Sequence, residues 1–393
     1  MSNLSEWVEF NPRVVLEKGK DYPFLSMERI RPGIRYVVHD EYRSFTGGGA
    51  RFCHGDTLFA RITPCLENGK IAQFVVDPET CGFGSTEFFV LRAKVGISDP
   101  AFVYYLAKSD LLRSTAIQSM VGASGRQRAD IESLRNLILK LPNHDEQKRI
   151  GQILSLYDDL IETNRRRIAL LEEAARLLYR EWFVNLRFPG YEQSKVVDGL
   201  PVGWSRQPLS ALIEESPKTP FEKDKIYPFV PMQSLSESSM VIGAREEREI
   251  SGGAKFHNLD TLLARITPCL ENGKTGFVQF LSDEFPVASG STEFIVMRSK
   301  SVSPYWVYCL AREDSFRDHA IRSMAGADGR QRVKTKCFDT YMTLQPPASI
   351  LQEFDAIMEP LFSEVEILAR QNVRLQVARD ELLPKLMSGA IQV

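Results

Sequence analysis

The chain has 393 residues, 49 Lys+Arg against 51 Asp+Glu, a net charge of -2 and 43% hydrophobic residues. Length and composition predict two or three globular domains of roughly 100–200 residues each and exclude a disordered or collagen-like chain. The balanced charge argues against a simple polycationic nucleic-acid binder.

No apolar run approaches the roughly 18 residues of a membrane span, and the first ten residues lack a signal-peptide pattern, so a cytoplasmic protein is expected. The six cysteines (Cys53, Cys65, Cys81, Cys269, Cys309, Cys337) include no C-x-x-C pair and are expected as reduced thiols, mostly buried. In chain order, β-branched and aromatic runs at Thr57 to Ile62, Ile71 to Val76 and Glu87 to Leu91, bounded by Gly, Pro, Asn or Asp, predict strands. Gly47-Gly48-Gly49 reads as a hairpin turn. Asp99-Pro100 predicts a capped helix over Phe102 to Met120, and a last strand follows at Leu137 to Leu141.

From Ile150 the apolar positions step by three and four through Leu154, Tyr157, Ile161, Asn164, Ile168, Leu171, Ala175, Leu178 and Trp182. A 3.5-residue period of this length predicts a coiled-coil seam, with one polar interruption at Asn164. Residues 188–202, rich in Gly, Pro and charge, read as a linker. A second helix carries one strict heptad file (Phe354, Leu361, Leu368, Leu375, Leu382) and a looser one containing Asn372, with Pro360 as a candidate kink. A helix of about 40 residues spans about 60 Å; two of them pack antiparallel if the modules sit at opposite ends, and Asn164 and Asn372 become candidate register-fixing positions.

The chain is written twice. Ala50 to Lys70 (ARFCHGDTLFARITPCLENGK) and Ala254 to Lys274 (AKFHNLDTLLARITPCLENGK) share 16 of 21 positions at an offset of 204. Tyr-Pro-Phe at 22–24 recurs at 227–229, Gly-Ser-Thr-Glu-Phe at 84–88 recurs at 290–294, and Gly-Arg-Gln-Arg at 125–128 recurs at 329–332. So long a period marks duplication of a whole module rather than a solenoid. The expected architecture is α+β: a module over 1–143, a long helix over 144–187, a linker over 188–203, a second module over 204–347 and a second long helix over 348–393.

Catalytic constellations are missing. There is no G-x-G-x-x-G between strand and helix, no G-x-x-x-x-G-K-[ST], no H-E-x-x-H, and no histidine pair at metal-ligand spacing. Asp56/Asp260, Glu67/Glu271 and Glu87/Glu293 occur in both copies and are expected to be structural. Arg126-Gln127-Arg128 and Arg330-Gln331-Arg332 each follow a helix and a Gly-containing turn, where side chains reach outward. Arginine forks match guanine edges and phosphates, and Gln can pair with adenine. Residues 1–143 carry 18 basic and 16 acidic side chains and residues 348–393 carry 4 and 7, so the acidic excess lies mainly in the last helix.

Three phrases extend this reading: Gly199-Leu200-Pro201-Val202-Gly203-Trp204 opening the second module, Leu178-Tyr179-Arg180-Glu181-Trp182-Phe183 closing the first helix, and Arg379-Asp380-Glu381-Leu382-Leu383-Pro384-Lys385-Leu386-Met387-Ser388-Gly389 closing the second. With the order module, helix, module, helix, the chain resembles the specificity subunits of type I restriction-modification systems. Asp145-Glu146-Gln147 also matches the family's start of the first helical region, whereas the second copy departs from it with Leu351-Gln352-Glu353.

The resemblance implies two target recognition domains, each reading half of a split double-stranded DNA sequence, and paired helices that set the gap and dock two modification subunits. Those partners would carry S-adenosylmethionine and methylate adenine; two restriction subunits using ATP can join. No cofactor or metal is expected on this chain. Candidate DNA contacts are Arg61, Lys70, Arg126, Gln127 and Arg128 with their copies Arg265, Lys274, Arg330, Gln331 and Arg332. To these the divergent stretches add Arg29, Arg31, Arg35 and Arg43, and Gln233, Ser234, Arg245 and Arg248. The alternative reading is a non-catalytic scaffold whose twin modules bind protein.

Overall fold

The computed structural model describes residues 1–123, 125–222, 224–249, 252–326 and 330–393. By contacts the chain divides into two units, Met1–Thr163 with Gln371–Val393, and Asn164–Arg370. Each unit therefore holds one α+β module and part of both long helices.

In the first unit a five-stranded sheet runs in the order Val8–Phe10, Phe88–Ala93, Thr57–Ala60, Ile71–Phe74, Tyr36–Val37. Thr57–Ala60 and Ile71–Phe74 are buried at every residue, which is why both read as continuous rather than alternating apolar runs. A four-stranded sheet follows the order Glu41–Ser44, Asp21–Leu25, Cys81–Gly84, Ala50–Cys53. The second unit repeats the plan with Ile213–Glu215, Phe294–Ser299, Thr261–Ala264, Thr275–Phe277 in one sheet and Glu246–Glu249, Ile226–Val230, Ala288–Gly290, Ala254–Phe256 in the other.

Three local expectations are corrected. The single helix expected over Phe102 to Met120 is two, Pro100–Lys108 and Asp110–Gln118, parted at Ser109, whose extended backbone (φ -62°, ψ 149°) ends the first and starts the second. Glu313 parts Pro304–Arg312 from Asp314–Arg322 in the same way. Gly47–Gly49 is not a hairpin turn, because the strands it joins lie at opposite edges of their sheet. It is glycine-rich for a different reason: at Gly49 (φ +87°) a Cβ would stand 2.3 Å from the Gly84 carbonyl oxygen, and Gly253 (φ +85°) meets Gly290 the same way at 2.0 Å. Finally, Cys53 and Cys81 are not free thiols: they oppose each other across paired strands and form a disulfide, while Cys65, Cys269, Cys309 and Cys337 are free.

The first long helix spans His144–Tyr179 and passes into a π-helical turn, Arg180–Val184. Asn143 starts it with a reciprocal cap: its side chain accepts from the Glu146 amide at 3.0 Å, and Glu146 accepts from the Asn143 amide at 3.2 Å. The second spans Ala348–Met387 and runs uninterrupted through Pro360. The helices are antiparallel within each unit. In the first, Asp158 pairs with Arg379 while the earlier Arg149 bonds the later Val393 carbonyl; in the second, Arg167 pairs with Glu364 while the later Trp182 packs on the earlier Phe354.

The buried faces of the two helices follow one pattern at the same offset of 204. On the first helix Ile150, Leu154, Asp158, Ile161, Asn164, Ile168, Glu172, Ala175, Tyr179 and Trp182 are buried. Their counterparts on the second, Phe354, Met358, Phe362, Val365, Leu368, Asn372, Arg379, Leu383 and Leu386, are buried too, Gln376 being half-buried. The linker is ordered, with Val196–Val197 paired to Leu200–Pro201, and Phe188 packs on Trp204 at 5.1 Å between ring centroids.

Candidate nucleic-acid interface

Three short motifs that the sequence repeats separately come together in each module. In the first, the Arg61–Lys70 loop lies along the segment carrying Arg126, Gln127 and Arg128. The Thr63 amide donates to the Gln127 carbonyl at 3.0 Å and the Ala129 amide to the Arg61 carbonyl at 2.8 Å. The Gly-Ser-Thr-Glu-Phe turn supplies Glu87, whose carboxylate accepts from Arg128 Nε at 3.0 Å and Nη2 at 2.6 Å, with Arg61 Nε 3.9 Å away. The second module repeats the two backbone bonds and the Arg-Glu fork. Thr267 donates to the Gln331 carbonyl at 3.1 Å, Val333 to the Arg265 carbonyl at 2.9 Å, and Arg332 forks onto Glu293 at 2.6–3.0 Å.

The geometry sorts the candidates. Arg128 and Arg332 are held by carboxylates, and the hydrogen bonds they donate to Glu87 and Glu293 raise their pKa values. Arg332 in turn holds the Glu293 carboxyl below the usual carboxylate range, so the pair stays ionised. Arg126 and Arg330 are exposed, and neither side chain bonds a partner among the described residues. Ser124 and Ala327–Gly329, in the turns that precede them, lie outside the described residues. Gln127 and Gln331 are half-buried and use their carbonyls to bind the loop. Lys70 and Lys274 are not free cations: their amines bond the Met27 carbonyl at 2.9 Å and the Met232 carbonyl at 3.4 Å. Arg61 and Arg265 are half-buried, Arg61 lying 4.8 Å from the Phe89 ring centroid.

In the stretches read as divergent, Arg31 and Gln233 are exposed. Arg29 is exposed 3.8 Å from Asp40, and Arg245 lies 4.2 Å over the Phe280 ring. Two candidates are corrected. Arg35 is 5% exposed, with its donors on Gln73, Tyr105 and Ser155, so it is a core residue. Ser234 is buried and donates its hydroxyl to the Ala244 carbonyl.

Arg43 and Arg248 are not divergent either. Arg43 is paired with Tyr22 across its ladder, bonded to Glu41 and stacked 3.7 Å over Phe24; Arg248 is paired with Tyr227, bonded to Glu246 and stacked 3.0 Å over Phe229. The signal was available as Glu-x-Arg at an offset of 205, the offset of the Tyr-Pro-Phe repeat. A real difference lies beside it. Phe24 faces Phe83 in the parallel register, whereas Phe229 faces Ser289, and the second module has a pocket of about 420 Å³ there, lined by Phe229, Arg248, Ser289 and Thr292 among others.

Of the shared acids, Asp56/Asp260, like Glu87/Glu293, hold arginines of their own module. Asp56 takes a two-point bond from Arg92 at 2.6–2.7 Å and the Cys53 amide at 2.7 Å; Asp260 takes the same from Arg298 at 2.7–2.8 Å and the His257 amide at 2.9 Å. Burial pushes the Asp56 carboxyl up. Among the described residues no group of three or more His, Cys, Asp or Glu is placed to hold a metal ion, and no helix is long and apolar enough to cross a membrane.

Each of the two units carries one copy of the same arginine-bearing module on antiparallel segments of the long helices. Residues 10–173 match the family model described as the type I restriction modification DNA specificity domain. The chain is 26% identical to the type I restriction enzyme MjaIX specificity subunit of Methanocaldococcus jannaschii, over 74% of this chain and 69% of that one. It is 28% identical to the type I restriction enzyme HindI specificity subunit of Haemophilus influenzae, over 86% of each. The S subunit of a type I restriction-modification system from M. genitalium shares the fold at a TM-score of 0.54 and 14% identity, covering 98% of this chain and 95% of that one. The chain thus matches the type I restriction modification DNA specificity domain over residues 10–173, and the relatives it resembles are specificity subunits of type I restriction enzymes.

Proposed function

We propose that each module reads one half of a bipartite double-stranded DNA target and that the paired helices set the unspecified gap and dock two modification subunits. Those subunits bind S-adenosylmethionine and methylate adenine; two restriction subunits using ATP complete the cleaving complex, in the cytoplasm. The observation that carries this is the convergence, in both modules, of three motifs that leave one exposed, unpaired arginine, Arg126 or Arg330, beside a rigid Arg-Glu pair. A guanidinium fork suits a base edge, while neighbouring cations suit phosphate. Because the modules share this cluster and the Arg43/Arg248 device, the half-sites are related and inverted.

Arg330→Ala in the assembled complex is expected to cost about 1–3 kcal/mol in DNA affinity and to relax one position of one half-site, with Arg126→Ala relaxing the matching position of the other. Selection from randomised duplexes reads this directly. An equal loss on every sequence assigns Arg330 to phosphate, and no loss removes it from the interface. Binding should weaken steeply with salt.

A further inference from the structure

The face that each module presents to its helices is built from equivalent positions with opposite chemistry. In the first unit a buried polar chain runs from the sheet into both helices. Arg35 forks onto Gln73 at 2.9 and 3.1 Å and donates to the Tyr105 hydroxyl at 3.2 Å; Tyr105 donates to Asp158 at 2.6 Å; Asp158 pairs with Arg379. Asp158 lies on the first long helix and Arg379 on the second, and all five side chains are buried.

Backbone register identifies the counterparts in the second unit. Gln73 donates its amide to the Arg35 carbonyl as Phe277 does to Met240; Thr57 faces Gln73 as Thr261 faces Phe277. Tyr105 and Cys309 are the sixth residues of the matching helices that begin at Pro100 and Pro304. At the offset of 204, Asp158 and Arg379 correspond to Phe362 and Ala175. So Arg35, Gln73, Tyr105, Asp158 and Arg379 become Met240, Phe277, Cys309, Phe362 and Ala175, every one buried in one hydrophobic cluster. Phe362 there meets Phe277 at 4.8 Å and Tyr308 at 5.5 Å between ring centroids.

We infer that Asp158 and Arg379, against Phe362 and Ala175, are positioning residues that key each module to its own seat on the helices. The modules are alike enough in backbone and in surface loops to be exchanged, and the seats forbid it. A module bearing Met240, Phe277 and Cys309 placed over Asp158 and Arg379 leaves an ion pair without the tyrosine hydroxyl that completes it. A module bearing Arg35 placed over Phe362 buries a guanidinium among rings. A buried ion pair and an apolar cluster of like volume can be equally stable when complete, and it is the mixture that fails. The inference does not depend on how DNA is read.

The test uses two substitutions, Asp158→Phe with Arg379→Ala, in two full-length backgrounds: the natural chain, and a chain in which residues 204–347 also replace residues 1–143. The pair should lower the melting temperature of the natural chain by roughly 10 °C and raise that of the exchanged chain by a similar amount. In the exchanged chain carrying both substitutions, the complex should select a target whose two halves are the same. A change of the same sign in both backgrounds, or an exchanged chain that gains nothing from the substitutions, whether or not it folds, overturns the inference. If the signs reverse but no symmetric target is selected, the seats stand and the assignment of reading to the modules does not.

Discussion

Arg379→Ala is expected to destabilise the first unit by about 3–5 kcal/mol. Arg379 is 1% exposed. One of its nitrogens bonds Asp158 and another bonds Asp380 at 3.0 Å, while Asp158 also holds the Tyr105 hydroxyl at 2.6 Å. Removing the guanidinium leaves the Asp158 carboxylate buried with one neutral donor, so the loss exceeds that of the guanidinium's own contacts. Against a domain stability of about 5–15 kcal/mol this is a large fraction. Arg379→Lys should recover only part, since one ammonium cannot reproduce a fork directed at two carboxylates. Thermal melting gives the size, and hydrogen exchange should show the extra opening in Met1–Thr163 and Gln371–Val393. A melting temperature within a degree of the parent would mean that the pair is dispensable.

Phe183→Ala is the second large effect, in the other unit, and it has a different cause. Phe183 stands where the first long helix passes into its π-helical turn. It meets Phe354 at 4.8 Å, Tyr179 at 5.4 Å, Trp204 at 6.0 Å and Trp306 at 6.5 Å between ring centroids. One side chain thus joins both helices, the start of the second module and that module's buried helix. Truncation removes a large apolar group and leaves a cavity among rings that cannot collapse, a loss of about 3–5 kcal/mol. Phe183→Leu should cost distinctly less. Equal losses for the two replacements, read by the same melts, would show that the ring's shape does not matter.

Much of the fold was legible because duplication made it so: a match as long as Ala50 to Lys70 against Ala254 to Lys274 fixes two modules before any strand is assigned. The long helices were legible from heptad spacing. What spacing could not show is the buried polar set, because a search for apolar periodicity passes over Asp158, Glu172 and Arg379, all of them buried. It took Tyr157 where the seam has Asp158. Comparing the helices at the offset of 204 would have found these residues, since Asp158 falls on Phe362 and Arg379 on Ala175.

Candidate contacts were legible as residue types and not as roles. Arg35 and Arg31 are alike in sequence, yet one is in the core and the other exposed, a difference made by Gln73 and Tyr105, distant in the chain. Arg126 and Arg128 likewise differ only through Glu87, which arrives from another loop. The balanced net charge is compatible with this interface, because many of the arginines carry a carboxylate partner within their own module.

The central claim is that the two modules read the two halves of one split DNA target, and base-resolution mapping of methylated adenines tests it most directly. The complex with the natural chain should methylate a target of two specific halves around a gap of fixed length. With Arg126→Ala only one half should relax, and with Arg330→Ala only the other. A continuous target, or relaxation of the same half by both substitutions, would contradict the account.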